Sequence, residues 1–321
     1  MSGLTSIQWA DATWNPTRGC SRISRGCQLC YAERIAARFG TRGTEDVGFD
    51  IPASKPTGPA FEGFAEMRNG QPHWTGRVEL VESALDWPLR WRGSKQARAE
   101  GRPSRIFVNS TSDLFHEKLS DGDIDRVFAV MALAPQHCFQ VLTKRPERML
   151  HYLNRQELRD CIDDAAGDFD ACHANLDGRW PLPNVWLGVS VEDQETAAKR
   201  IPLLLQTPAA VRFVSCEPML GPVDFKYRLL PQSLRGLWAD PPLDLPEHHS
   251  LDWVIIGGES GPRARPLDLA WARAVVEQCR KARVAVFFKQ GGLSNRCVHD
   301  SKGGHLDCFP SDLHVREFPD A

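Results

Sequence analysis

Three cysteines stand close together near the start of the chain, in the segment WNPTRGCSRISRGCQLCYAER. Cys20, Cys27 and Cys30 have the spacing C-x6-C-x2-C, and a short amphipathic segment that predicts a helix follows directly. A Cys-x2-Cys pair at a loop-to-helix boundary suits metal chemistry, because the turn brings two thiolates to one ion or to one cluster edge. Gly19 and Gly26 each precede a cysteine, where the backbone can need angles that glycine tolerates best.

The ligand count favours an iron–sulfur cluster over zinc. A tetrahedral zinc site needs a fourth ligand, and the closest histidine downstream is His73. Three cysteines without a fourth leave one iron of a [4Fe–4S] cluster open, and an open iron can chelate S-adenosylmethionine (SAM). Two other interpretations stay open: a zinc site completed by a distant cysteine or histidine, and three cysteines of the core without any ligand.

The remaining cysteines add one weaker hypothesis. The N-terminus lacks the basic-then-apolar pattern of a signal peptide, and no stretch approaches the roughly 18 apolar residues of a membrane helix. We therefore expect a cytoplasmic protein in which clustered cysteines serve metal or redox chemistry rather than disulfides. The segment CVHDSKGGHLDC raises a second metal site, with Cys297, His299, His305 and Cys308 as its ligands.

Polar side chains follow each of six predicted buried strands. The carboxyl ends of parallel strands build the active site in barrels and in open α/β sheets, so we expect these residues to face one shared site. They are Asn109, Ser110, Thr111, Ser112 and Asp113; Thr143, Lys144 and Arg145; Ser190, Glu192 and Asp193; Ser215, Cys216 and Glu217; Glu259, Ser260, Arg263 and Arg265; and Lys289 with Gln290.

Within this group we assign separate roles. The predicted catalytic residues are Lys144, Glu217 and Lys289. The predicted cofactor-binding residues are Asn109, Ser110, Asp113, Ser190, Glu192, Gly257, Gly258, Glu259, Ser260 and Arg265. Structural alternatives stand beside these roles: the two glycines can serve a tight turn, the two arginines near them can be surface charges, Pro146 can be ordinary helix capping, and His116 can be structural.

These residues need a scaffold, and the hydrophobic pattern predicts one. Continuous apolar strands alternate with helices, which indicates βαβ units and a buried parallel sheet. Six or seven such units favour an α/β fold with a full or partial (β/α) barrel of parallel strands; a doubly wound open sheet is the alternative. The predicted strands are 78–82, 104–109, 138–143, 184–190, 211–216, 252–258 and 285–289. The predicted helices are 31–39, one capped by Ser83, 121–134, 146–154, 193–206 and 267–284.

We expect one large domain over residues 1–292, which binds the cluster, and a C-terminal tail over 293–321. Residues 1–30 are predicted to be loop. Three insertions are predicted: a glycine- and proline-rich segment near 40–76, a weakly helical segment near 155–183, and a proline-rich excursion near 219–250.

Seven segments carry a resemblance to a known family, and they run from Trp14 to Gly292. They are WNPTRGC…GCQLCYAER, FVNSTSDLFHE, FQVLTKRPERM, NVWLGVSVEDQ, VSCEPMLGPV, WVIIGGESGPRARP and FFKQGG. They resemble the phage-associated three-cysteine-motif family. That family in turn resembles radical SAM proteins of the spore photoproduct lyase type, which share the Asn-Pro…Gly-Cys lead-in. The usual radical SAM spacing is C-x3-C-x2-C, whereas the first gap here is six residues.

The resemblance implies a radical SAM enzyme. Cys20, Cys27 and Cys30 would ligate three irons, and the fourth iron would take the amino and carboxylate groups of SAM. One-electron reduction, from a donor such as flavodoxin or ferredoxin, would cleave SAM to a 5′-deoxyadenosyl radical that abstracts a hydrogen atom from the substrate. Radical SAM enzymes often bind the SAM amino group with Gly-Gly-Glu; Gly257 to Glu259 match it, but after a late strand.

Three function classes follow. The first is a radical SAM enzyme that repairs or modifies a nucleic acid base or nucleotide, and the second is a radical SAM enzyme for a small molecule or peptide. The third is a nucleic-acid-binding protein that zinc or a cluster stabilises without redox catalysis. The formal net charge of −2 lacks the strong basic excess of many nucleic-acid binders.

Overall fold

An eight-stranded sheet is the centre of the mixed α/β fold, and seven of its strands are parallel. The computed structural model describes residues 2–40, 61–169, 174, 176, 179–225, 250–261, 263–291, 305 and 308–319. The strand order is β1-β2-β7-β8-β9-β10-β11-β12, and only the edge strand β1 runs antiparallel to its neighbour within the described sheet. The strands are β1 (Gly3–Leu4), β2 (Ala12–Trp14), β3 (Thr17–Arg18), β4 (Ala65–Arg68), β5 (Gln71–Trp74), β6 (Glu79–Leu80), β7 (Ser104–Val108), β8 (His137–Thr143), β9 (Val185–Ser190), β10 (Val211–Cys216), β11 (Trp253–Gly257) and β12 (Ala285–Gln290).

The parallel strands follow one another in chain order without a reversal. A doubly wound sheet reverses its order at the switch point, so that alternative is wrong for this chain. The curled, open sheet, with described helices between most pairs of consecutive parallel strands, agrees with a partial β/α barrel. The helices are α1 (Tyr31–Gly40), α2 (Glu82–Leu85), α3 (Trp87–Arg90), α4 (Lys95–Ala99), α5 (Asp121–Leu133), α6 (Pro146–Leu153), α7 (Leu158–Ala166), α8 (Gln194–Gln206) and α9 (Leu269–Ala282).

The N-termini of helices α5 and α8 are capped by side chains. Ser120 caps α5 in a full capping box with Asp123, and Asp193 caps α8 in the same way with Thr196. The predicted cap at Ser83 is wrong, because Ser83 lies inside the one-turn helix α2 and Val81 precedes that helix. Pro88 then stands in the first turn of the separate helix α3.

The N-terminal region contains more strand than predicted. Residues 1–30 were expected to be loop, yet β2 pairs in parallel with β7 and β3 pairs with β6. Within the predicted insertion 40–76, β4 and β5 form a hairpin around Asn69 and Gly70, which both have positive φ. An Asn-Gly pair favours this kind of tight turn. The predicted insertion 155–183 contains α7, and most of the predicted excursion 219–250 lies outside the described residues.

Alternate residues of the parallel strands face two different cores. One face packs against the helices and forms the large core. The other, which we call the inner face, carries an aromatic floor of Trp9, Phe107, Trp186, Phe213, Trp253 and Phe287. Gly188 on β9 makes room for this floor, because a Cβ there would lie 2.5 Å from the ring of Phe213. Along the strands, the inner face extends from this aromatic floor to the carboxyl ends.

The C-terminal segment 309–318 lies along the edge strand β12. Backbone bonds join the amide of Phe288 to the carbonyl of Val315, and the amide of Glu317 to the carbonyl of Val286. The ring of Phe318 then packs on Trp253, at a centroid distance of 5.3 Å, and its face lies 3.4 Å from the guanidinium carbon of Arg105. Among the described helices, none combines the length and apolar character that crossing a bilayer requires.

Candidate functional site

The cysteine loop, residues 19–30, lies against the carboxyl edge of the parallel sheet. It begins after β3, where Gly19 forms a parallel bridge with Ser112 beyond the end of β7. Gly19 has φ of +82°, and a Cβ there would lie 1.9 Å from the carbonyl oxygen of Arg77. The expectation that glycine is needed before the first cysteine is therefore confirmed. Gly26 has ordinary angles, but a Cβ there would lie 2.5 Å from the Glu192 carboxylate.

Arg145 anchors the beginning of the loop. Its side chain is buried at the end of β8 and donates to the carboxylates of Asp113, at 3.0 Å, and Glu117, at 2.8 Å. It also donates to the hydroxyl of Ser21 at 2.8 Å and to the Sγ of Cys20 at 3.8 Å. Burial opposes the charge of the guanidinium, but Asp113, Cys20 and Glu117 outweigh burial and raise the pKa of Arg145.

Two strand-end residues hold the middle of the loop. The hydroxyl of Ser24 donates to Glu192, beyond β9, at 2.7 Å. Beyond β11, Arg265 donates to the backbone carbonyl of Arg25 at 3.0 Å and to the side chain of Gln28 at 3.2 Å. The loop therefore touches residues that follow β7, β8, β9 and β11, although these positions are far apart in the sequence.

Helix α1 fixes the end of the loop. Glu33 is buried in this helix and accepts hydrogen bonds from the Arg22 guanidinium and, at 2.7 Å, from the amide of Trp74. Arg34 donates to the carbonyl of Ser260 at 2.8 Å. Sequence reasoning missed these anchors. Glu33 had a signal, since it shares a helical face with the buried Ala36 and Ala37.

Polar groups lie near all three sulfurs, and they act as donors toward Cys20 and Cys30, whereas the Ser24 hydroxyl beside Cys27 gives its proton to Glu192. Cys20 accepts from Arg145, Cys27 lies 3.7 Å from the Ser24 hydroxyl, and Cys30 accepts backbone N–H groups of the first turn of α1. Burial raises the pKa of Cys20 to about 12, and nearby Asp113 adds to this shift. Burial also raises the pKa of Cys30, against the opposite effect of the helix N–H groups. The thiols of Cys20 and Cys30 therefore stay protonated near neutral pH until an electrophilic metal takes the proton's place.

A zinc ion and an iron–sulfur cluster require different distances between the sulfurs of their cysteine ligands. Three thiolates on one zinc ion lie only about 3.8 Å apart, as tetrahedral geometry with Zn–S bonds of about 2.3 Å requires. The described residues contain no group of three His, Cys, Asp or Glu side chains gathered around a single-ion position. Cluster ligands form a wider triangle, because each thiolate binds a different iron. The thiols of Cys27 and Cys30 lie close enough to Cys20 to raise its pKa, so the three sulfurs share one region of the loop, and the choice between a single ion and a cluster stays a prediction.

Below the loop, the predicted catalytic residues lie in charged pairs. Lys144 donates to the hydroxyl of Ser190 at 2.6 Å, and its ammonium lies 3.6 Å from Glu192. Lys289 pairs with Glu217, and the hydroxyl of Ser190 contacts the carbonyl of Glu217 at 3.3 Å. The ends of β8, β9, β10 and β12 are thereby joined. The structure brings the predicted residues Lys144, Ser190, Glu192, Glu217 and Lys289 together.

The Gly-Gly-Glu segment after β11 belongs to the same edge. A Cβ on Gly257 would lie 3.3 Å from the carboxyl group of Glu217, and the amide of Gly258 donates to the carbonyl of Gln290. Glu259 is buried and accepts three hydrogen bonds from Arg265, two from the guanidinium and one from its amide. Arg263 is exposed, which agrees with the surface alternative for that residue.

The predicted residues after β7 are largely engaged in local structure. Asn109 has φ of +58°, and its Oδ1 accepts the amide of Thr17 at 3.4 Å. Ser110 donates to Asn15, and its carbonyl accepts the hydroxyl of Tyr31 from α1. The carboxylate of Asp113 accepts from Thr143, Arg145 and the amide of Lys144. Asp113 therefore holds the β8 end in place.

Other candidates are placed as follows. His116 is buried; its Nδ1 accepts the amide of Lys118 and its Nε2 lies 2.9 Å from the Ser21 hydroxyl. Burial lowers the pKa of His116, so a neutral, structural histidine is favoured.

Ser215 has a buried hydroxyl without a partner among the described residues, while Cys216 faces the helix side. Cys297 and His299 lie outside the described residues, so the second metal site stays a prediction.

A family model with the description "Protein of unknown function (DUF5131)" matches residues 4–309 of the chain. No curated protein and no solved structure gives a significant match.

Proposed function

The chain belongs to this family of proteins of unknown function, and from the geometry of its own residues we propose that it is an iron–sulfur enzyme of the radical SAM type. One observation carries the proposal. Cys20, Cys27 and Cys30 lie in a loop that is anchored to the carboxyl edge of a parallel sheet, and hydrogen-bond donors lie near the sulfurs of Cys20 and Cys30. Hydrogen bonds to sulfur stabilise the thiolates of iron–sulfur sites and tune their potential.

The three cysteines would hold a [4Fe–4S] cluster and leave one iron for SAM. When bound and reduced, the cluster would supply one electron to SAM, whose S–C5′ bond would break to give methionine and a 5′-deoxyadenosyl radical that abstracts hydrogen from a substrate. The chain's own residues position and enclose these groups. Lys144, Lys289 and Glu217 offer two ammonium groups and one carboxylate beside the loop, which suits the carboxylate and amino groups of SAM. Arg265 and Glu259 hold the loop in place above them.

The finer assignments rest on the resemblance of the sequence segments. They are a partial barrel of the radical SAM kind, membership of the phage-associated three-cysteine-motif group, and action on a nucleic acid base or nucleotide in repair or modification. An electron donor such as flavodoxin or ferredoxin would reduce the cluster. We place the enzyme in the cytoplasm, where thiols stay reduced and free for cluster assembly.

The decisive experiment is anaerobic purification followed by iron and sulfide analysis, visible absorption spectroscopy and a SAM cleavage assay under reducing conditions. We expect a brown protein with about four irons per chain and formation of 5′-deoxyadenosine. Cys27→Ala should lose most of the iron, while Cys161→Ser, a half-buried cysteine on α7, should keep it. A colourless protein with bound zinc would instead support the nucleic-acid-binding alternative.

A second measurement separates the two enzymatic alternatives. If the substrate is a nucleic acid, DNA or RNA should bind to the cluster-loaded protein, and affinity should fall steeply as salt rises, because bound phosphates release counterions. Binding that is absent at low salt would move the proposal to a small-molecule or peptide substrate. A loaded and reduced protein that leaves SAM intact would overturn the radical SAM assignment.

A further inference from the structure

We propose that Arg145 is a positioning residue for the cluster ligand Cys20 and that its guanidinium raises the reduction potential of the cluster. This inference rests on the proposed function. The sequence predicts Arg145 only as one of the polar residues that follow a buried strand and face the shared site. The structure turns its side chain toward the cysteine loop instead.

The contacts of Arg145 leave it little freedom. Its side chain is only 8% exposed, and its three nitrogen atoms reach Asp113, Glu117, Ser21 and Cys20. Its backbone is fixed as well, because its amide donates to the Thr143 hydroxyl at 2.9 Å and Pro146 begins α6 directly after it. Because both its backbone and its forked guanidinium are fixed, Arg145 is suited to hold the loop in one geometry.

The long first gap of the cysteine motif makes such an anchor necessary. Six residues separate Cys20 from Cys27, so Cys20 is the ligand that a free loop would place least well. Arg145 fixes the adjacent residue Ser21 through both its hydroxyl, at 2.8 Å, and its carbonyl, at 3.3 Å. His116 supports the same hydroxyl from the other side at 2.9 Å.

The charge of Arg145 has a second consequence. A cation next to a cluster thiolate stabilises the reduced cluster, which carries one more negative charge than the oxidised form. In the variant without this cation, the carboxylates of Asp113 and Glu117 would remain near Cys20 with no guanidinium to balance them. The reduced form would then be disfavoured, and the midpoint potential would become more negative.

The test compares Arg145→Gln and Arg145→Lys with a matched control, Arg212→Gln. Arg212 is also a buried arginine, but it donates to the carbonyl of Thr207 at the opposite end of the strands. After anaerobic cluster loading, we expect Arg145→Gln to lower the equilibrium constant of one-electron reduction about tenfold, which corresponds to about 59 mV. Arg145→Lys should recover part of this change, and Arg212→Gln should match the wild-type potential and electron paramagnetic resonance spectrum.

A measurement on metal-free protein keeps this inference separate from the proposed function. Arg145→Lys keeps the positive charge beside Cys20 but loses the fork on Ser21, so iodoacetamide should alkylate Cys20 several times faster than in the wild type, as peptide mass spectrometry would quantify. A wild-type protein that binds no cluster would refute the proposed function. Unchanged alkylation of Cys20 together with an unchanged potential would refute the role of Arg145. If Arg145→Gln does not fold, Arg145→Lys decides the question by alkylation.

Discussion

Four carboxylates at the carboxyl edge each have a cation within hydrogen-bond distance: the buried Asp113 has Arg145, the buried Glu192 has Arg200, the half-buried Glu217 has Lys289 and the buried Glu259 has Arg265. Desolvation makes an unpaired buried charge costly, so these pairs are held as units rather than as independent residues. A substrate that binds one of these side chains would compete with the partner that the side chain has in this structure. The function of each pair is therefore tested by a variant that removes only one of its two charges.

Lys289 offers such a variant. Lys289→Met keeps the length of the side chain but removes the ammonium that pairs with Glu217. Since Lys289 is not an anchor of the cysteine loop among the described contacts, iron content should equal that of the wild type. SAM cleavage should fall at least about tenfold, the effect of losing one charged contact of about 1.5 kcal/mol.

The matched control for this variant is Lys281→Met, on the exposed side of α9, where the lysine pairs with Glu277. Surface pairs of this kind contribute little, so its activity should equal that of the wild type. Cleavage of SAM by Lys289→Met at the wild-type rate would remove Lys289 from the site.

At this scale, the sequence predicted the polar strand ends but not their partners. Lys144, Ser190, Glu217 and Lys289 could be predicted because each follows a strand with a clear apolar pattern. The anchors Ser24, Arg22 and Arg34 could not, because their partners lie 168, 11 and 226 positions away and no local pattern encodes those contacts.

Among the elements, β8 depends on a histidine at its beginning. His137 is buried, its Nε2 bonds to the carbonyl of Trp91 at 3.0 Å, and its Nδ1 has no partner among the described residues. Burial lowers the pKa of His137 below 6.5, against the opposite effect of the Trp91 carbonyl. Protonation would therefore place a charged imidazolium in a buried site, where the backbone carbonyls of Trp91 and Pro88 offset only part of the desolvation.

The sign of the pH dependence follows from this shift. Below pH 6.5 the unfolded chain binds a proton at His137 that the folded chain does not, so stability falls as pH falls from 6.5 toward the lowered pKa. Above pH 6.5 the contribution is constant. His137→Gln should flatten the dependence by at most about 1.4 kcal/mol per pH unit, measured by urea unfolding across that window. The exposed His151→Gln should keep the wild-type slope, and parallel slopes for all three proteins would contradict the prediction.

The elements that sequence reasoning missed are short. Strand β2 has three residues and β3 has two, so a period of two residues cannot be recognised in them, and pairing with β7 and β6 is what makes them strands. The long strands β7 to β12 have continuous apolar runs, and their predicted bounds agree with the structure within a residue or two. The Asn69–Gly70 turn carried a readable signal for the hairpin β4–β5.

For the whole molecule, the alternation of strands and helices was sufficient to predict a parallel sheet but not to choose between barrel and doubly wound order. That choice depends on which strands lie side by side in the sheet. The packing of the whole chain determines this order, and the sequence of a single segment does not. The packing of residues 309–318 was also beyond prediction, since the polar, irregular C-terminal sequence contains few apolar residues. Four of them, at 309, 313, 315 and 318, nevertheless pack on the sheet.

Leu313 tests how much this segment contributes. Its side chain is fully buried in the main core, so Leu313→Ala should lower the free energy of unfolding by about 2–4 kcal/mol. Leu4→Ala is the matched control, because Leu4 is 78% exposed and its removal should change stability by less than about 0.5 kcal/mol. Urea unfolding followed by circular dichroism measures both, and equal stabilities would mean that the C-terminal segment is not part of the folded core.

The anchors of the cysteine loop also fix an order of events during synthesis. The cysteines are made first, yet the residues that hold their loop are at positions 113–145, 192 and 260–265, and the ribosome produces these in that sequence. Until position 265 has emerged, the nascent chain carries a loop that is only partly tethered. The thiols of Cys20, Cys27 and Cys30 therefore reach their final arrangement only after residue 265 has been made, although they precede every one of these anchors in the chain.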